Sequence, residues 1–100
     1  MKTHIGTNIT MAPEILKGEE YDSKCDIWSL GVIIYQLYFK QYPYNAQTES
    51  GLLNLISKRG HSCLKKTNNP QLDDLIRKLL VSDPKKRLSW KQYFYHPFFQ

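Results

Sequence analysis

"CDIWSLGVIIYQLYF" fills positions 25–39, and its apolar residues run nearly all the way round a helix. Ile27, Trp28, Leu30, Val32, Ile33, Ile34, Tyr35, Leu37, Tyr38 and Phe39 leave almost no polar face, so the helix belongs at the centre of a protein. Three consecutive β-branched residues, Val32, Ile33 and Ile34, would also suit a strand. Length and the capping candidates Asp22 and Ser23 decide for a helix that runs to about Phe39. Gly31 lowers its intrinsic propensity but permits close approach by another element. The longest apolar run, Leu30 to Phe39, contains Gln36 and falls well short of the roughly 20 residues that span a bilayer. It is a buried helix, not a membrane anchor.

Upstream, the first eleven residues show no clear period and read as an extended loop. Ala12 to Lys17 suits a short helix with Pro13 in its first turn, where a missing N–H costs nothing, and Gly18 stops it. Downstream, "KQYPYNAQ" is a turn. Thr48 opens an amphipathic helix through Leu52, Leu53, Leu55 and Ile56 that ends near Gly60. A polar loop with Lys65, Lys66 and Asn68 leads to Asn69-Pro70, a cap followed by a first-turn proline. The helix it starts turns Leu72, Leu75, Ile76, Leu79 and Leu80 to one face. After "SDPKKR", Ser89 and Gln92 are spaced as a capping box for a fifth helix ending at His96-Pro97-Phe98-Phe99. No repeats and no convincing strand appear. The expected fold is all-α.

One hundred residues make one domain. The net charge of +5 is spread over scattered lysines and arginines, and the densest runs, Lys65-Lys66 and Lys85-Lys86-Arg87, are short. With neither a basic stripe nor a nucleic-acid-binding module, nucleic acid is not an expected partner, and neither is a membrane. Cys25 and Cys63 match no metal-ligand spacing, and no secretory signal is visible. Reduced thiols in a cytoplasmic or nuclear protein are the expectation.

Four sequence words then fall in order over nearly the whole chain: Ala12-Pro13-Glu14 after Gly6-Thr7, "DIWSLGVIIYQL", "DDLIRKLLVSDPKKRLS" and "HPFF". This series resembles the C-terminal half of a protein-kinase catalytic domain of the serine/threonine type. Its wording is most similar to the calmodulin-kinase-like and unc-51-like groups. The resemblance implies the helical C-lobe of the kinase fold, beginning inside the activation segment. Residues 1–14 would be the end of that segment and residues 15–100 the C-lobe helices.

Individual residues inherit roles through this resemblance. Glu14 and Arg87 correspond to a buried ion pair tying the activation segment to the C-lobe, where a planar Arg fork meets a carboxylate. Asp26, two positions before Trp28-Ser29, matches a helix carboxylate that accepts backbone N–H bonds from the catalytic loop. Thr7 matches a threonine that supports the active site by bonding the catalytic Asp. Ile33 and Leu37 match helix residues beneath the apolar spine of the adenine pocket. Gly6, Thr7, Asn8, Thr10 and Met11 would line the substrate groove. Thr3 stands at the spacing of an activating phosphothreonine, with an ordinary exposed threonine as the alternative. Two departures bear on specificity: Asn8 replaces the usual proline and Thr10 the usual aromatic. Gln36 stands where kinases preferring basic substrates often carry Glu, so an Arg-directed preference is not supported.

Phosphoryl transfer in this family needs a Gly-rich loop, a strand Lys, an H-R-D Asp and a D-F-G Asp that holds Mg²⁺. None of these motifs occurs in the sequence. ATP and Mg²⁺ are therefore implied for a longer parent domain, and no cofactor, metal or catalytic residue is expected in these residues. The expected partners are a protein substrate or the rest of the kinase domain, its N-lobe and catalytic loop. A non-catalytic binding module and an unstable truncated product remain as alternatives.

Overall fold

The structure is a computed structural model that describes residues 10–100. Among the described residues five helices follow one another: α1 (Pro13–Leu16), α2 (Lys24–Phe39), α3 (Glu49–Arg59), α4 (Pro70–Leu79) and α5 (Trp90–Phe94). Two 3₁₀ turns, Gly60–Cys63 and Pro97–Phe99, follow α3 and α5. No strand occurs among the described residues.

Local chemistry accounts for most of the boundaries. The Thr48 side chain accepts the Gly51 N–H at the start of α3, and Asn69 Oδ1 accepts from Gln71 and Leu72 at the start of α4. At α5 the capping box is complete: Ser89 Oγ takes the Gln92 N–H while Gln92 Oε1 takes the Ser89 N–H. The start of α2 is less direct. Ser23 is the cap residue, but its side chain bonds nothing in the helix; Asp22 Oδ1 accepts the Lys24 N–H instead.

Two expectations need correction. The chain after Gly60 is not loop from the outset, because a 3₁₀ turn intervenes, with the Ser62 hydroxyl bonded to Arg59 O. The fifth helix also stops short of its expected end at His96-Pro97-Phe98-Phe99. It ends at Phe94, and a separate turn carries Pro97–Phe99. His96 is extended (φ −64°, ψ 143°), the conformation that a following proline imposes.

Helix α2 is the centre. Its faces bearing Ile27, Trp28, Gly31, Val32 and Tyr35 are buried, chiefly against α4. Gly31 makes that contact close, since a Cβ built there would lie 2.8 Å from Leu79 Cβ and 3.0 Å from Leu80 Cδ2. The first apolar cluster gathers Trp28, Val32, Tyr35, Tyr44, Leu52, Ile56 and Leu80. The second joins Ile27, Leu75 and Leu79 under Tyr93 and Phe98. The rest of α2 is only partly covered by the described residues: Ile33, Leu37 and Tyr38 are 47%, 63% and 47% exposed.

Candidate functional site

Arg87 enters the core from the loop between α4 and α5, and Glu14 enters from α1. Their side chains are 0% and 2% exposed. Arg87 Nη1 donates to Glu14 Oε2 at 2.8 Å and Nη2 donates to Oε1 at 2.9 Å, a bidentate fork. The other donors are also committed. Nη1 reaches Lys24 O (2.7 Å), Nη2 reaches Ser82 O (3.2 Å) and Nε reaches Val81 O (2.8 Å). The guanidinium lies 5.3 Å from the centroid of the Trp28 ring, which stacks in turn on Tyr44. A charge pair this deep is tolerable only when every polar atom finds a partner, and here the guanidinium's do.

Lys24 completes the knot from the other side. Its ammonium donates to Pro84 O (2.8 Å) and Arg87 O (2.9 Å), so α2 holds the loop that carries Arg87. Nothing in the sequence singles out Lys24, because its partners are main-chain carbonyls sixty residues away. Ser29 Oγ donates to Thr10 O at 2.7 Å, fastening the approach to α1 onto α2. Thr10 and Met11 are half-buried there.

The remaining candidates lie apart from this knot. Asp26 is exposed on the first turn of α2, and the Cys25 thiol approaches its Oδ1 at 3.8 Å. Burial, then the charges of Asp26 and Glu14, push the Cys25 thiol up, which keeps it protonated. Ile33 and Leu37 share the exposed face of α2. Thr3, Gly6, Thr7 and Asn8 fall outside the described residues. Among the described residues no cluster of His, Cys, Asp or Glu could hold a metal ion, and no helix is long and apolar enough to cross a membrane.

A groove of about 410 Å³ opens between α1 and α3. Pro13 and Ile56 are buried at its base, with Lys17, Asn54 and Ser57 exposed along its edge.

An all-helical unit in which a buried Glu–Arg pair clamps an A-P-E helix to the loop after α4, beside a central apolar helix, defines a class: the helical C-lobe of the protein-kinase fold. Comparison with known proteins gives the family directly. The protein kinase domain family matches residues 1–99, and the chain belongs to that family. Calcium-dependent protein kinase 17 of Arabidopsis thaliana is 40% identical over 96% of this chain and 19% of its own length. Serine/threonine-protein kinase ULK3 of Mus musculus is 38% identical over 92% of this chain and 20% of its own. Serine/threonine-protein kinase atg1 of Penicillium rubens is 38% identical over 93% of this chain and 10% of its own. The chain thus spans a fifth or less of the length of these relatives.

Proposed function

We propose that these residues are the C-lobe portion of an ATP-dependent serine/threonine protein kinase, which transfers the γ-phosphoryl group to a protein Ser or Thr. Their part in that reaction is structural and recognitive. The Glu14–Arg87 pair anchors the end of the activation segment, and the segment from Gly6 to Met11 presents the substrate. The observation that carries this reading is the family match across the chain together with the buried bidentate pair. The rest of the kinase domain is the partner, and ATP and Mg²⁺ would bind there. The subfamily proposed is calmodulin-kinase-like or unc-51-like.

On this reading residues 1–100 alone are catalytically silent. A purified, contaminant-free preparation should neither bind Mg²⁺-ATP nor phosphorylate a generic protein substrate, and transfer by such a preparation would sink the proposal. The coding sequence upstream supplies a second check: in-frame H-R-D and D-F-G are expected, and stop codons would count against a kinase parent. In that parent, Thr3→Ala should lower activity if Thr3 is the activating phosphosite.

A second reading, a protein-binding module, draws on the groove between α1 and α3. On that reading the chain without any catalytic parts should itself bind a protein partner, and Leu53→Asp at this groove should weaken that binding.

A further inference from the structure

His96 is buried, its side chain 3% exposed, although it stands in a surface turn near the C-terminal end. Both ring nitrogens are engaged. Nδ1 faces the Phe98 N–H at 3.0 Å, and a backbone N–H can only donate, so Nδ1 must carry its lone pair. The ring proton is thereby assigned to Nε2, which lies 2.7 Å from Asp74 Oδ2 on α4. The fold therefore uses the neutral ring in one tautomer. In this tautomer the ring is the N-cap of the Pro97–Phe99 turn and the tie between that turn and α4.

The turn has something to hold. Phe98 packs on the cluster of Ile27, Leu75 and Leu79. With Phe99 and Tyr93 it also walls an apolar groove of about 360 Å³ whose other side is Leu37 and Leu72.

We propose that His96 is a pH-operated latch: its neutral ring seats the Pro97–Phe99 turn on α4, and protonation at Nδ1 releases the turn and opens the groove. A proton on Nδ1 would replace an acceptor with a donor pointed at the Phe98 N–H. It would also place a cation in a site almost without water, and both changes disfavour the seated turn. Asp74 opposes them, but its carboxylate is half-exposed and already shares Oδ2 with Lys78 at 3.1 Å. A partly solvated, shared carboxylate compensates weakly. The other titratable groups of the surrounding elements do not offset the charge. Tyr93 of α5 and Tyr38 of α2 are phenols at the groove, Asp73 takes the Thr67 N–H, and Arg77 acts on Tyr44.

The test is amide hydrogen exchange on a parent kinase domain containing these residues, between pH 7.5 and 5.5, the range over which imidazoles ordinarily charge. Protection factors, corrected for intrinsic exchange, should fall several-fold, up to the roughly tenfold that one imidazole proton allows over this range, at Phe98 and Phe99 and stay level at the α2 amides. His96→Asn keeps an N-cap acceptor that does not titrate, and it should abolish the step. A step of equal size in the variant, no step in the wild type, or no protection at Phe98 at pH 7.5 would overturn the latch. Imidazole ¹⁵N shifts of the wild type give an independent readout. They should report an Nε2–H ring at pH 7.5, and an Nδ1–H ring would overturn the proposal even if the variant failed to fold.

Discussion

Arg87 and Glu14 illustrate what one residue can do when its whole hydrogen-bonding capacity is matched. Each guanidinium nitrogen meets its acceptors, and the positive charge lies over an indole face. Removing one partner strands the other in the core. In a parent kinase domain Glu14→Ala should therefore destabilise the fold by about 3–5 kcal/mol, read as a drop in the midpoint of chemical denaturation. Arg87→Lys keeps the charge but not the planar fork, so it should also lose stability rather than rescue it. Asp74 poses a pH question. Its carboxyl is held below the usual range, first by the His96 hydrogen bond and then by Lys78, while partial burial works against them. A depressed folded-state value means that stability from this group is present above the unfolded value, about 3.9, and lost as pH falls through the folded one. With the His96 turn released at pH 5.5, the Lys78 pair is what remains to hold the acid limb of a stability–pH curve, so Asp74→Asn should flatten it only slightly. An unchanged acid limb would show that Asp74 contributes nothing there.

Among the elements, the boundaries that could be read from sequence are those decided within three or four residues. Thr48, Asn69-Pro70 and the Ser89/Gln92 pair each cap the helix that follows, because a side chain needs only its local backbone to do so. What escaped the sequence depends on partners far along the chain. The 3₁₀ turn at Gly60–Cys63 is held by His61 Nε2 against Leu80 O and by the Tyr44 hydroxyl donating to Gly60 O. Pro97 announced a break, but its reward, the His96–Asp74 contact, spans twenty-two positions. The A-P-E and D-P-x-x-R words pointed to Glu14 and Arg87, whereas the Lys24 tie to main-chain carbonyls had no word of its own. Gly31 was readable as a place of close approach, though not as a contact with α4. That contact makes a sharp prediction. On helix propensity alone Gly31→Ala should gain about 1 kcal/mol. A Cβ 2.8 Å from Leu79 Cβ forces α2 and α4 apart, and such overpacking costs about 1–3 kcal/mol. Since Leu79 Cβ is rooted in the backbone and cannot swing away, the clash should win. Thermal or urea denaturation of a parent kinase domain should show Gly31→Ala less stable than wild type.

For the molecule as a whole, the decisive surface is the exposed face of α2. Leu37 and Tyr38 line the apolar groove with Leu72 and Phe99, and Ile33, one turn before Leu37, is exposed as well, so several large apolar side chains meet water. Soluble monomers rarely carry an apolar patch beyond a few hundred Å², and on the proposed reading the rest of the kinase domain covers these side chains. Burying one large side chain is worth about 1.5–3 kcal/mol, so cover over three of them is comparable to much of a typical domain's stability. The chain alone should then keep its far-UV helical signal, bind a hydrophobic dye and melt without a sharp transition. Ile33→Lys with Leu37→Lys isolates the cause, because both side chains already face solvent and neither belongs to the buried clusters. The double variant should lose most dye binding and keep its helical signal, whereas in a full-length kinase the same pair should abolish activity. Dye binding that survives the substitutions would locate the exposed apolar surface in the core itself. A sharp, reversible melt of the wild-type monomer without dye binding would mean that the helices repack to cover these side chains, and the weight would pass to the binding-module reading.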